Sequence, residues 1–250
     1  MLSTLIKNYS LYLMEAAGLA FFMISACFFG GLLWSDHSPL NYRIASNNIK
    51  FGIMGVMMGF TALGIFYSPF TNKSGAQINP AVTLTFFRLG RMKTWDTIFY
   101  ILFQFIGGTL AVYIMKTLMG NLLTDPRVNY IVTIPAKYGI VTATLMEFST
   151  AFVMMTMVLI TSAHQVLRNY TRIIAACLVC VYVMIAGPVS GFGMNPARTF
   201  ASALPSNTWT GIWMYLTIPV AGMLSAAELF LLFQIRLQTL KCFYIPDSPK

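Results

Sequence analysis

Hydrophobic and polar positions fall into long blocks along this chain, not into residue-by-residue alternation. Apolar blocks cover residues 9–34, 51–66, 94–118, 139–162, 173–186 and 209–235, separated by polar stretches at 35–50, 120–137 and 164–172. Most of these blocks approach the roughly 20 residues that an α-helix needs to cross hydrocarbon. Two further apolar runs, 81–87 and 197–203, are too short to cross. The first follows the turn Ser74-Gly75-Ala76-Gln77-Ile78 and opens on Asn79-Pro80-Ala81; the second follows Ser190-Gly191-Phe192-Gly193-Met194 and opens on Asn195-Pro196-Ala197. Asn is a favoured helix N-cap, and Pro suits the first helical position because it has no N–H to leave unpaired. Both runs therefore read as half-helices. The pattern predicts an all-α integral membrane fold of six transmembrane helices plus two re-entrant half-helices.

The two halves of the pattern repeat. Each reads as a span with one early acid (Glu15, Glu147), a second span, a Ser-Gly turn, Asn-Pro-Ala with its half-helix, and a third span. Residues 1–250 are expected to form one membrane domain, with a first repeat at 1–120 and a second at 138–240. Three spans per repeat is an odd number, so the second repeat must lie inverted, which brings the two half-helix N-termini toward each other at mid-depth. Lys7, Arg88, Arg91, Lys93, Arg168, Arg172, Arg236, Lys241 and Lys250 then share one face, and Arg43, Lys50, Lys116, Arg127 and Lys137 the other. Basic residues favour the cytoplasmic side, so both termini are expected there.

Composition agrees with a membrane class: 9% of residues are charged, 57% are apolar and the mean hydropathy is +0.71. The net charge of +9 is scattered over short loops without a basic run that would engage nucleic acid. The first span is too long for a signal-peptide core and is expected to be retained. Cys177 and Cys180 could form a redox or metal pair, but no second CxxC or nearby His accompanies them, and small apolar packing is the favoured reading. No metal and no cofactor is expected, and no nucleophile with a base suggests an enzyme.

Chemistry concentrates at the two Asn-Pro-Ala tips. A helix N-terminus carries about half a positive charge. Two aimed at one point in a pore repel cations, protons included, while neutral dipolar molecules pass. The amides of Asn79 and Asn195 add donors that hold a passing oxygen by its lone pairs, so a water held there is a poor proton acceptor. An acid inside an apolar span is costly unless partnered. Glu15 and Glu147 are therefore read as braces that accept hydrogen bonds from the re-entrant loops, with a proton relay as the sharper alternative. Glu228 has no counterpart in the first half and suggests an interfacial or inter-subunit pairing.

These motifs, with Arg198 directly after the second, the paired Glu residues and the Ser-Gly lead-ins, resemble the aquaporin and aquaglyceroporin family (major intrinsic proteins) over nearly the whole chain. The resemblance implies an hourglass pore in each chain of a homotetramer in the cell membrane, with water and small neutral solutes as cargo and lipid as surroundings. It also implies a selectivity constriction of Arg198, Phe192, Val183 and either Met58 or Gly59. Water-selective members are similar in having His where Val183 stands and an aromatic in the second span, so a wider, more apolar ring is expected here. Phe192 and the run from Gly187 resemble the glycerol-conducting branch, whereas Thr199 and Ala201-Ser202 depart from it. The expected function is a passive channel for water and small uncharged solutes, polyols or metalloid hydroxides, that excludes ions and protons. A strict water channel and an alternating-access transporter are the alternatives.

Overall fold

The computed structural model describes residues 1–136 and 138–233. Six helices among them are long and apolar enough to cross a membrane: α1 (Leu2–Trp34), α3 (Asn47–Tyr67), α5 (Thr94–Met119), α7 (Gly139–Ala163), α8 (Thr171–Ser190) and α10 (Ile212–Leu232). Two shorter helices follow the Asn-Pro-Ala motifs, α4 (Pro80–Arg88) and α9 (Pro196–Ser206). The remaining helical pieces, α2 (Pro39–Arg43) and α6 (Asn121–Thr124), belong to connections. The chain is thus an integral, multi-pass membrane protein without strands among the described residues.

Packing follows the repeat. α1 lies against α5 as α7 lies against α10, and α3 pairs with α8 across the halves. Each half-helix rests on the third span of the other half, α9 on α5 and α4 on α10. The α1/α5 and α7/α10 crossings are close because a glycine stands at each. A Cβ on Gly107 would lie 2.2 Å from the Ala16 carbonyl oxygen, and one on Gly222 would lie 2.7 Å from that of Phe148. Small residues allow such approach where lipid supplies no hydrophobic drive between helices.

Several boundaries move from those the hydropathy suggests. α1 begins at Leu2, ahead of residue 9, because its first turns project beyond the apolar block and are tied down, Asn8 donating to Asp96 Oδ1 at 2.8 Å. α3 starts at Asn47 instead of 51, with the Lys50 N–H already bonded to the Ser46 carbonyl at 3.1 Å. α8 continues through Pro188 to Ser190 and stops at Gly191, whose φ of +76° a side-chain-bearing residue would resist. α9 extends to Ser206, where Asn207 turns left-handed at φ +50°. Lys137, Arg236, Lys241, Lys250 and the end of the last apolar block lie outside the described residues.

The helices define two faces. The near face carries the N terminus, Arg88 and the turn at Lys73; the far face carries the connections around α2 and α6. On the far face Asp125 accepts from the Ser35 hydroxyl at 3.0 Å and the N–H groups of Asp36 (2.6 Å) and Arg127 (2.8 Å). Burial alone would raise its pKa, but these donors outweigh it and hold the carboxyl below the usual range. Beyond Asp125, the successive residues Asn129, Tyr130 and Ile131 all have positive φ. The connection folds back there over the bundle.

Candidate functional site

Both re-entrant loops adopt the same backbone. Gly75, Ala76 and Ile78 have φ of +91°, +49° and +43°; Gly191, Phe192 and Met194, at the same offsets from their Asn, have +76°, +50° and +45°. Left-handed φ is costly for residues with a Cβ, and more so for β-branched Ile78. The buried carboxylates hold the loops in this shape. Glu15 accepts from Ser74 Oγ (2.7 Å) and from the N–H groups of Gln77 (3.0 Å) and Ile78 (2.6 Å). Glu147 accepts from Ser190 Oγ (2.6 Å) and from the N–H groups of Gly193 (2.7 Å) and Met194 (2.5 Å). Tyr100 and Tyr215 repeat the symmetry, donating to the carbonyls of Ser74 at 2.9 Å and Ser190 at 2.5 Å. Backbone of this kind survives at membrane depth only where its polar groups are satisfied.

The two tips are bonded to each other. Each Asn caps its own helix, Asn79 Oδ1 accepting from Ala81 N–H (2.9 Å) and Asn195 Oδ1 from Ala197 (3.1 Å) and Arg198 (3.2 Å). Each then donates across the midline, Asn79 Nδ2 to the Met194 carbonyl at 2.9 Å and Asn195 Nδ2 to the Ile78 carbonyl at 2.7 Å. An amide NH₂ has two hydrogens. One from each Asn locks the halves together, and the second is not used in these ties.

One cavity lies at this junction and a second lies beside the first. The first, about 100 Å³, contains Asn79, Asn195 and Gln77 among apolar side chains such as Val82, Met154 and Val179. The second, about 350 Å³, opens toward the far face and is lined by Met58, Val183 and Trp34. Phe22, Phe192 and Arg198 border both. Arg198 is 7% exposed, and its Nη1 has no hydrogen-bond partner among the described residues. Phe192 is held by Tyr182, ring centroids 5.9 Å apart at 61°.

The structure therefore gathers Arg198, Phe192, Val183 and Met58 around one cavity. Gly59 does not join them. A Cβ there would meet Cys180 Cβ at 2.9 Å and the Ala176 carbonyl at 3.2 Å, so Gly59 faces α8 and serves the helix crossing; of the two candidates, Met58 borders the cavity. Pro80, Ala81, Pro196 and Ala197 are buried in the first turns of their half-helices. Glu228 is also reassigned. It pairs with Arg88 of the same chain at 2.6 Å, two half-exposed side chains near the near face.

Phe22, Trp34 and Gln77 are among the lining residues that the motifs do not single out. Phe22 lies two helical turns beyond Glu15 on the same face of α1, a spacing that nominates it. Trp34 ends α1 and carries no such signal. Gln77 gives its backbone N–H to Glu15, and its buried side-chain Oε1 has no partner among the described residues.

The chain is 27% identical over 180 residues to Aquaporin NIP1-2 of Arabidopsis thaliana, covering 71% of this chain and 61% of that protein. It is 35% identical over 158 residues to Aquaporin NIP2-1 of Zea mays, covering 62% and 50%. The matches thus span roughly half to two thirds of the curated relatives' length. The fold is similar to the X-ray structure of the aquaglyceroporin from Plasmodium falciparum, with a TM-score of 0.74 at 15% identity over 89% of this chain and 95% of that one. The sequence profile described as "Major intrinsic protein" matches residues 7–230. On that match, over a fold with paired half-helices meeting at mid-depth, the chain belongs to the major intrinsic protein family.

Proposed function

We propose that the protein is a passive transmembrane channel for water and small uncharged solutes, polyols or metalloid hydroxides among them, that excludes ions and protons. The observation carrying this reading is the reciprocal tie between Asn79 and Asn195, which fixes two positive helix ends at one point on the wall of a cavity that shares Phe22, Phe192 and Arg198 with a second one. The field there opposes cations. The spare amide hydrogens and the Arg198 guanidinium give a neutral solute donors to exchange for its water.

Solute choice rests on the ring of Arg198, Phe192, Val183 and Met58. Three of its members are apolar, so it has room for a carbon-bearing solute and Arg198 as its principal donor. The test is stopped-flow light scattering on proteoliposomes under water, glycerol and urea gradients. Wild type is expected to pass water and glycerol, with Val183→His keeping water flux and losing glycerol. Wild type and variant both passing water alone would refute the wide ring. The near face, with Lys7, Arg88, Arg91, Lys93, Arg168 and Arg172, is read as cytoplasmic. A homotetramer, testable by cross-linking in native membrane, would cover part of the exposed apolar surface.

A further inference from the structure

The far mouth contains a charge that the channel reading does not use. Lys50, in the first turn of α3, is 5% exposed and lines a vestibule of about 760 Å³ together with Asn41, Asn47, Asn48 and Arg127. Trp34, Phe51, Arg127, Ala136 and Gly187 border both this vestibule and the far cavity, so it lies over the passage that leads to Arg198.

The described residues that line the vestibule include two cations, Lys50 and Arg127, and no carboxylate. Arg127 is paired with Asp36, Nη1 to Oδ1 at 2.8 Å. Asp36 also accepts from Asn41 Nδ2 at 3.3 Å, and Asn41 Oδ1 in turn accepts from Lys50 Nζ. One carboxylate thus serves two cations. It pairs with Arg127 directly and reaches Lys50 only through a neutral amide. The other nearby carboxylate, Asp125, is engaged by Ser35 and backbone N–H groups and does not line the vestibule. Among the described residues no carboxylate pairs with Lys50. An ammonium has three donors, and a buried cation is expensive without a counter-charge. Tucking this one under an open vestibule is reasonable if a mobile anion supplies the missing charge.

We infer that the far vestibule is a capture site for a small aqueous oxyanion, held by the Lys50 ammonium with the amides of Asn47 and Asn48 beside it. A small oxyanion accepts several hydrogen bonds at once, which suits an ammonium flanked by amide NH₂ groups. Seated there, it lies across the route to Arg198, so occupancy slows entry of neutral solutes. Only this last effect rests on the channel reading; binding itself does not.

Trp34 borders the site and reports on it directly. In protein carrying Trp34 as its lone tryptophan (Trp95, Trp209 and Trp213 changed to Phe), reconstituted in phosphatidylcholine, fluorescence is quenched by iodide or by neutral acrylamide. Iodide is expected to quench more efficiently than acrylamide, and sulfate replacing a bulky sulfonate at constant ionic strength should relieve iodide quenching alone. Lys50→Met should lower the iodide constant by about threefold, the effect of one charge ~5 Å away in a watery dielectric, and leave acrylamide unchanged; Lys50→Arg should retain it. An iodide constant equal in wild type and Lys50→Met, or sulfate without effect on wild type, overturns the proposal. The wild-type competition decides the matter even if Lys50→Met fails to fold. Sulfate relieving quenching but not slowing glycerol entry would leave the site standing and remove its effect on flux.

Discussion

Three residues before Asn79 the chain places Ala76, and three residues before Asn195 it places Phe192; both have φ near +50° and both border the central cavity. Three residues after the same Asn stand Val82 and Arg198, again bordering that cavity. The backbone, the carboxylate brace, the tyrosine donor and the cross-midline amide are duplicated, whereas the side chains at these two offsets are not. The first loop offers a methyl and an isopropyl group; the second offers a ring and a guanidinium. A common scaffold thus holds the helix ends, while at these two offsets the aromatic and the cationic side chains both come from the second half.

Removing a brace should have the largest effect. Glu15→Leu or Glu147→Leu leaves three donors of one loop without their acceptor, at about 1–3 kcal/mol each. Loss of several kcal/mol, seen as a large fall in thermal midpoint or in folded yield in detergent, is expected from either. A tolerant response from one half alone would break the equivalence of the two scaffolds.

Exchanges at the unequal offsets should alter selection instead of folding. Arg198→Ala gives up a charge-assisted donor worth about 1.5 kcal/mol, so discrimination between glycerol and longer polyols should relax by about tenfold in swelling assays. Val82→Ala, its counterpart in the first half, should leave discrimination unchanged. Equal effects from the two would contradict the division of labour.

The exposed acid marks the lower end of the scale. Arg88→Ala severs a pair between half-exposed side chains, and such pairs contribute 0–1 kcal/mol. A shift in thermal midpoint of a degree or two at most is expected, far below that of either buried carboxylate. A larger shift would mean that Glu228 does more than neutralise a neighbour.

Much of this was legible in the residues because the signals are local and occur twice. An Asn followed by Pro marks a helix start wherever it stands, and one early acid in each half singled out Glu15 and Glu147. What stayed hidden depends on rotation and distance. Met58 and Gly59 are adjacent, and only the close packing of α3 on α8 decides which of them borders the cavity. Arg88 and Glu228 lie 140 residues apart, so no spacing rule joins them. The tie from Asn79 to the Met194 carbonyl crosses between repeats, and hydropathy carries no trace of it.

The central claim is that the paired tips let neutral molecules through and stop protons. Proteoliposomes loaded with a pH-sensitive dye allow both fluxes to be followed on one preparation, by imposing first an osmotic gradient and then a pH gradient with the potential clamped. Water permeability should rise with protein content while proton permeability stays at that of empty vesicles. A proton flux that grows in step with the water flux would contradict the account.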